Sequence, residues 1–403
     1  MVVNLRLVLA TLGDSARGTA AIGASEYTCM EALATVLEAG PSAQEWDRLY
    51  ALSVLGVLIA VVTAAKVHQA AETEPDTMAY HLGVQFISEP FVAQRLPWKI
   101  LSSCNMLNIF KTNETLQRAI TSLILTINRL HLRHRIPPHL TTYTFGHAIF
   151  LCWTYHQGRR LQSQALGVLQ TLISAAAPTD LQYFCNQIIL TSSGSSETAF
   201  YERCCLQLNC DECVTGEPLR EFFEFMLCIT QFPEMRPGRM RVRYEHVSLS
   251  MCAVNACRRQ LRMGDETHTW GVLNEGFRLI ADMLLFDGFE QVARDSIADC
   301  ELMLLLNRSA ILAASTREQD ISGFLLFLDT FRLAADPEFV ASSKDFKRYI
   351  KRALQKIWLT TIVQLNAIPR SDPAPDVPRR DEILDQLISL GTHFGLYLQP
   401  QSI

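Results

Sequence analysis

The densest group of residues that could do chemistry is a cysteine cluster in the middle of the chain. It contains Cys204, Cys205, Cys210 and Cys213. A structural zinc site holds four thiolates or imidazoles in a tetrahedron, and the two-residue spacing between Cys210 and Cys213 matches half of such a site. A second pair at the usual separation is missing, so zinc would also need Cys228 or His246. We therefore predict buried thiols and no metal here, with zinc and redox chemistry as the alternatives.

Histidines are concentrated in a second stretch, which invites a comparison with metal sites. They are His131, His134, His139, His147 and His156. Their spacing does not produce the His-Glu-x-x-His pattern that places two imidazoles on one helix face. His147 and His156 adjoin apolar helix faces, which is typical of hydrogen-bonded histidines in a core. We predict no metal at these positions.

Carboxylates raise one enzymatic alternative, a magnesium-bound diphosphate site in an all-α protein. The residues concerned are Asp282, Asp287, Asp295 and Asp299. The adjacent aspartates and the downstream ligand set that such a site resembles are missing. The chain also has no phosphate-binding Gly-rich loop, no dinucleotide fingerprint and no Gly-x-Ser-x-Gly elbow. We predict no catalytic residues and no cofactor.

The most informative polar feature is basic, and it lies on a predicted helix over 342–367. Its cations follow a helical period on one side: Lys344, Lys347, Arg348, Lys351, Arg352 and Lys356. Its apolar residues occupy the other side: Phe346, Tyr349, Ile350, Ala353, Leu354 and Ile357. A solvated helix face is the simpler interpretation. The functional one is that these six cations bind an acidic partner.

Two further basic patches occur in less regular sequence, and they consist of Arg236, Arg239, Arg241 and Arg243, and of Arg129, Arg133 and Arg135. The formal net charge of the whole chain is −5. A negative protein has no general attraction to phosphate backbones, so nucleic acid is the less favoured partner. A protein partner with an acidic surface is favoured instead.

The elements that must position these residues are helices. In 113–130, Leu116, Ile120, Leu123, Ile127 and Leu130 follow intervals of four and three, which predicts one buried stripe. Gln117 and Asn128 lie off this stripe and are predicted to face solvent. Similar spacing predicts helices beginning near Phe145 and Leu161, and Pro178-Thr179-Asp180 resembles a helix start.

The C-terminal half of the chain shows the same periodicity, and it predicts helices over 247–261, 269–286, 289–314, 321–335 and 342–367. A run of strands with alternating polarity and hairpin turns is missing. The sequence therefore predicts an all-α protein.

A weak internal echo suggests the kind of all-α architecture. The pattern Ala-Ile-x-x-Leu-x-x-x-Ile from Ala119 recurs as Ala-Leu-x-x-Leu-x-x-x-Ile from Ala165, a separation within the ~40–47 residues of helical repeats. This architecture is similar to an armadillo or HEAT solenoid, with an irregular multi-helix bundle as the alternative. We predict an N-terminal array over 1–233, a C-terminal array over 245–367 that is continuous with it, a Pro-rich linker over 368–380 and a C-terminal docking helix over 381–403.

Composition bounds the class of protein. At 403 residues the chain exceeds the ~250–300 at which one hydrophobic core stops growing, so two domains or an elongated array are expected. Hydrophobic residues form 49% of the chain and charged residues 19%, which is far from the composition of disordered proteins. Most of the twelve cysteines lie at core-like positions of helices, and Asn4 and Arg6 interrupt the first apolar segment. We predict a cytoplasmic or nuclear protein with reduced thiols.

These observations predict a helical scaffold or adaptor without catalytic activity that binds a peptide, a helix or an acidic partner surface. Stacked helices expose long grooves that suit such binding. The alternatives are an all-α enzyme with a dispersed, metal- or diphosphate-dependent site, and a membrane-associated helical protein.

The membrane alternative depends on 49–65, seventeen residues without a charge, where a crossing helix needs ~20. We predict a buried helix that needs no membrane. Replacing Leu55 by Ala is then expected to lower the free energy of unfolding by about 2–5 kcal/mol, because the truncation leaves a cavity. Chemical denaturation measures this change. Recovery of the protein only in membranes after carbonate washing would contradict the prediction.

Overall fold

The structure is a computed structural model, and it describes part of the chain. The described residues are the helical positions 111, 114, 117, 121, 124, 125 and 128, and the ranges 145–155, 159–189, 198–209, 215–232, 235, 243–244, 247–264, 266–284, 289–299, 301–315, 320–333, 344–368 and 379–397. These residues confirm the all-α class. The predicted 49–65 helix, the linker at 369–378 and the arginines at 236–241 lie outside the described part. None of the described helices combines the length and apolar character that a membrane crossing requires.

The residues group into two compact units, Met1–Ser195 and Ser196–Ile403. In the first unit the structure shows α1 (Phe145–Tyr155), α2 (Arg159–Ser174), α3 (Pro178–Tyr183) and a π-helical turn (Phe184–Ile189). Helix α3 begins at the predicted start, with Pro178 in its first turn and Asp180 near its N-terminus. The proline needs no backbone donor there, and the carboxylate favours the positive end of the helix dipole.

Helix α1 is apolar around its whole circumference, and it is buried to match. Residues 148–153 have no exposed surface. One of its backbone carbonyl groups accepts a hydrogen bond from a neighbouring helix: Gln162 of α2 donates through Nε2 to the Trp153 carbonyl at 3.1 Å. A helix that is hydrophobic on all sides is stable only inside a core, so α1 forms the centre of the described part of this unit.

The first unit corrects one expectation about the predicted 113–130 helix. Gln117 and Asn128 were expected to face solvent, but both are buried, with exposed fractions of 0% and 6%. Gln117 tolerates burial because its Nε2 donates to the Lys111 carbonyl at 3.2 Å. The apolar periodicity of the sequence predicted burial of one stripe of this helix, but the buried part of its surface is wider and includes these two polar residues.

The second unit contains ten α-helices in its described part. They are α4 (Thr198–Asn209), α5 (Glu217–Thr230), α6 (Leu249–Met263), α7 (Glu266–Leu284), α8 (Phe289–Asp299), α9 (Leu302–Ser315), α10 (Ser322–Leu333), α11 (Lys344–Gln355), α12 (Trp358–Ala367) and α13 (Arg379–His393). A short antiparallel ladder, β1 (Arg243–Tyr244) with β2 (Val247–Ser248), precedes α6. Ser248 then caps α6, because its side chain accepts from the Met251 N–H at 3.3 Å.

Helix α7 lies at the centre of this unit and packs against α5, α6 and α10. Phe277 of α7 meets Phe324 and Phe327 of α10, with ring centroids 5.1 and 4.9 Å apart. Such tilted and edge-to-face contacts add to the stabilisation from burial alone. The core of the second unit is therefore built around α7.

The predicted 289–314 helix is divided in two. Glu301 has a φ of 50°, in the left-handed region, and it separates α8 from α9. An uninterrupted α-helix cannot pass through this conformation. The predicted 342–367 helix is also divided, into α11 and α12, by a turn at residues 356–357, where Ile357 keeps a negative φ of −117°. Apolar period alone could not locate either break.

Close approach between α7 and α10 requires a glycine. A Cβ on Gly323 would lie 2.1 Å from the Asn274 carbonyl oxygen and 3.0 Å from its Oδ1. The Asn274 Oδ1 also accepts from the Gly323 and Phe324 N–H groups, at 3.0 and 3.3 Å, and so caps α10. A larger residue would push the two helices apart and break this cap.

We expect Gly323→Ala to lower the free energy of unfolding of the second unit by about 1–3 kcal/mol, as overpacking does elsewhere. The matched control is Gly167→Ala on α2, where an added Cβ meets nothing within 4 Å. That control should stabilise by roughly 0.5–1 kcal/mol through helix propensity alone. Denaturant titration of both variants measures the difference. Equal effects of the two substitutions would contradict this account.

Candidate functional site

The candidate site is the polar side of α11. The opposite side of this helix packs against the core. Phe346, Ile350 and Leu354 follow one another at intervals of four and are buried, with exposed fractions of 0%, 0% and 1%. Residues four apart lie on the same face of a helix. Arg348 and Arg352, on the other side of the helix, are thereby directed away from the core. The predicted division of this helix into an apolar and a basic side is present in the structure.

The predicted cations differ in exposure. Arg348 is 71% exposed, and Arg352 and Lys356 are also exposed. Lys347 and Lys351 are half-buried. Lys344 begins the helix, but its side chain lies outside the described part. We call Arg348, Arg352 and Lys356 the outer cations, since they are the members that a partner could contact without rearrangement.

Lys351 has an internal role that the sequence did not suggest. Its ammonium group donates to the Gly395 carbonyl at 3.0 Å, just beyond the end of α13. Gly395 has a φ of 69°, and Leu396 N–H donates back to the Gly391 carbonyl at 2.8 Å. This is the common C-capping motif in which a left-handed glycine ends a helix. A cation beside it interacts favourably with the negative end of the helix dipole. Lys351 therefore joins α11 to α13.

A second contact fixes α11 to α8. The guanidinium of Arg294 lies over the rings of Phe346 and Tyr349, at 5.4 and 5.1 Å from their centroids. The Tyr349 hydroxyl donates to the Arg294 carbonyl at 3.3 Å, and the Arg294 side chain pairs with Glu290 at 2.8 Å. Cation–π contacts of this kind help to hold both elements in place. These contacts with α8 hold the helix that carries the basic face in position.

The outer cations have little local neutralisation. Arg348 lies 3.5 Å from Asp345, and both side chains are largely exposed, at 71% and 83%. Ion pairs this exposed contribute little to stability because water and salt screen them. Arg348 and Arg352, and Arg352 and Lys356, are each four residues apart and repel one another weakly. The face therefore keeps a positive potential.

The cysteine cluster is partly described, and its described members lie in the core. Cys204 and Cys205 are buried in α4, whereas Cys210 and Cys213 lie outside the described residues. The neighbour of Cys205 is Cys252 of α6, far away in sequence, and Asn209 donates to the Cys252 sulfur at 3.2 Å. The described residues contain no group of three or more potential metal ligands.

The hydrogen bond from Cys205 to Cys252, together with burial, raises the pKa of the Cys205 thiol. Accepting that bond, with a smaller effect of the Asn209 bond, lowers the pKa of Cys252. Sequence spacing could not have identified this pair, because the two cysteines come together only when α4 packs on α6. Burial also raises the pKa of Cys152 and Cys257 to about 12.

The described members of the predicted carboxylate and histidine sets lie on three helices, with Asp295 and Asp299 together on α8. Asp282 lies on α7, and Asp295 lies on α8, where it accepts from Gln291 Nε2 at 2.6 Å. Asp287 and His156 lie outside the described residues. His147 is 8% exposed within α1, and its Nε2 donates to the Gln187 carbonyl at 3.0 Å. It is a hydrogen-bonded histidine of the core.

Comparison with protein families, with curated proteins and with solved structures finds no match to this chain. The geometry of the described residues is therefore the basis for the proposal below.

Burial of His147 makes stability dependent on pH. Desolvation lowers its pKa from 6.5, and the weaker effect of the Gln187 hydrogen bond opposes this. Its contribution is complete above the unfolded value of 6.5 and is lost as the pH falls through the lower folded value. We expect His147→Gln, which can still donate to Gln187, to make the fall in unfolding free energy below about pH 6.5 shallower, by up to ~1.4 kcal/mol per pH unit.

Denaturant titrations across this pH range measure the slope. The control is His393→Gln, because His393 is exposed at the end of α13. Its substitution removes one imidazole from an exposed position and serves as the reference for the His147→Gln slope. A His147→Gln variant with the wild-type slope would show that burial of this imidazole does not contribute to acid sensitivity.

Proposed function

We propose that this protein is a helical interaction scaffold or adaptor without catalytic activity, and that the outer cations, which lie on α11 and in the turn that follows it, bind an acidic segment of a protein partner. An armadillo- or HEAT-like arrangement of the helices and a cytoplasmic or nuclear location belong to the same proposal. The observation that carries it is the basic face of α11, held on a fixed helix and left largely unneutralised.

The arrangement supports binding because little conformational entropy of α11 would be lost when a partner binds. Buried Phe346, Ile350 and Leu354 fix the helix, and the Arg294 and Lys351 contacts hold it to α8 and to the end of α13. A partner therefore meets cations whose backbone is already ordered, and preorganisation of this kind raises affinity. Neutralisation by a partner would also remove the repulsion between cations four residues apart.

The net charge favours an acidic protein over a nucleic acid. The chain carries −5 overall, so its net charge repels a long polyanion at low salt. A short acidic segment avoids most of that repulsion. Arginine suits such a partner, because its planar guanidinium can donate two parallel hydrogen bonds to one carboxylate.

We expect the triple variant Arg348→Gln, Arg352→Gln, Lys356→Gln to lose at least about 90% of partner capture from an extract of the source cell, which corresponds to a complex at least about tenfold weaker when the bait concentration is below Kd. Folding should be nearly unchanged, because these side chains are exposed. Quantitative mass spectrometry of the captured proteins measures the loss. Capture by the wild type should also fall as salt rises, since a screening length of ~8 Å at physiological salt weakens exposed charge pairs.

Two controls separate binding from general charge and from stability. Arg160, Arg262 and Arg308 are exposed elsewhere, and replacing all three by Gln removes the same net charge. That variant should keep its partners. Lys351→Gln tests the internal contact with Gly395 and should lower the melting temperature without abolishing capture. Retention of every partner by the outer-cation variant at low salt would mean that this face is only solvated.

A further inference from the structure

The exposed surface beside the outer cations extends onto α12, where it is apolar instead of basic. Leu359 and Val363 are 45% and 51% exposed, and they are four residues apart on one side of this helix. The other exposed large hydrophobic residues of the described chain include no second pair with this spacing; they are Tyr183, Met263, Leu304, Leu326 and Tyr397. Adjacent exposed aliphatic side chains indicate an interaction surface more strongly than isolated ones do.

Buried residues keep the same four-residue spacing through the turn between α11 and α12, at Ile350, Leu354, Trp358 and Ile362, so the exposed cations and the apolar pair lie opposite one buried row. Ile357 N–H donates to the Leu354 carbonyl at 3.0 Å, and Thr361 N–H donates to the Ile357 carbonyl at 2.9 Å across the junction. The exposed residues on this side that carry a positive charge or a large aliphatic side chain are Arg348, Arg352, Lys356, Leu359 and Val363. Their intervals of four, four, three and four keep them on one face of a helical path. We call this set the outer stripe.

Packing on the opposite side keeps the apolar pair exposed. Trp358, Ile362 and Leu365 are buried, with exposed fractions of 6%, 1% and 0%. The Trp358 indole N–H donates to the Leu387 carbonyl of α13 at 2.8 Å, which sets the rotation of α12. Leu359 and Val363 therefore cannot turn into the core without breaking this contact.

We infer that the outer stripe binds an amphipathic helix of a partner protein, with acidic side chains over the outer cations and apolar side chains over Leu359 and Val363. This inference rests on the proposed function and specifies the chemistry of its partner. Charge complementarity selects acidic residues for one half, and the exposed aliphatic pair selects apolar residues for the other. At 1.5 Å per residue the stripe extends ~22 Å, which matches a partner helix of about 15 residues.

The same residues fit a membrane surface less well. An interfacial helix inserts a broad apolar face between lipids, whereas the apolar face of α11 is buried in its own fold. Two aliphatic side chains remain at one end of the stripe, and that area is too small to anchor a protein in lipid. In a helix-in-groove complex a few apolar anchors with flanking charges are sufficient.

The test uses the full chain and a labelled synthetic helix of about 16 residues, with Glu along one face of one half and Leu along the same face of the other. A second peptide has the reverse order, so that both directions along the stripe are sampled. Fluorescence anisotropy measures binding. We expect one of the two peptides to bind, and its counterpart with Gln in place of Glu to bind at least about tenfold more weakly.

The decisive variant is Leu359→Asn with Val363→Asn. It should bind the peptide at least about tenfold more weakly than the wild type, with an unchanged melting temperature because both side chains are exposed. The matched control replaces Leu304 and Leu326, which are 38% and 39% exposed on other helices, by Asn. This control should bind like the wild type.

Three outcomes would overturn the inference. If the Leu359 and Val363 variant binds normally while Arg352→Gln with Lys356→Gln does not, the cations act alone, and the proposed function stands without this partner chemistry. If neither peptide binds, the stripe does not take an acidic amphipathic helix, and the capture experiment above still tests the proposed function separately. If vesicles of phosphatidylserine and phosphatidylcholine sediment the wild type but not the Leu359 and Val363 variant, the stripe binds lipid.

Discussion

The second unit depends on burying α7 on nearly all sides. The polar side chains of α7 that are buried have no water to bond, so each of them must find a partner inside the protein. Asn274 does so by capping α10, and Gly323 makes that contact possible because it has no side chain to separate the helices. Arg278 pairs with Glu275 at 3.0 Å and reaches Asp320 at 3.3 Å, so the same end of α10 is also held by charge. Burial of one helix thus determines where its neighbours begin.

The surface of α11 and α12 is a consequence of this core. Helices α12 and α13 pack against α9, and α13 also packs against α10, the partner of α7. The Trp358 indole and the Lys351 ammonium both donate to backbone carbonyl groups in and just after α13. These long-range contacts set the rotation of both helices, and rotation decides which cations and which aliphatic residues face solvent. The proposed binding surface is therefore as rigid as the core that carries it.

Many chemically reactive side chains of the described chain are used in packing. Cys205 and Cys252 join α4 to α6, and Cys152 and Cys257 are fully buried in α1 and α6. His147 donates to a carbonyl group within its own unit. Burial disfavours the charged form of a side chain, so it raises the pKa of the Cys152 and Cys257 thiols and lowers that of His147, whereas accepting the Cys205 hydrogen bond lowers the pKa of Cys252. The exposed side of α11 and α12 instead carries the outer cations and the pair Leu359 and Val363, which is why we propose that it binds a partner.

Local periodicity in the sequence determined that the chain is helical and that α11 has a buried side with Phe346, Ile350 and Leu354, because side chains four residues apart share a helix face wherever the helix lies. Contacts between residues distant in sequence decided the rest. They bury Gln117 against expectation, bring Cys252 to Cys205, break the predicted helix at Glu301 and engage Lys351 while leaving Arg348 and Arg352 exposed. None of these follows from a local pattern, since each depends on which neighbour covers a given face. The exposure of Leu359 and Val363 is the clearest case, because apolar side chains in a helix predict burial until the rotation of α12 is known.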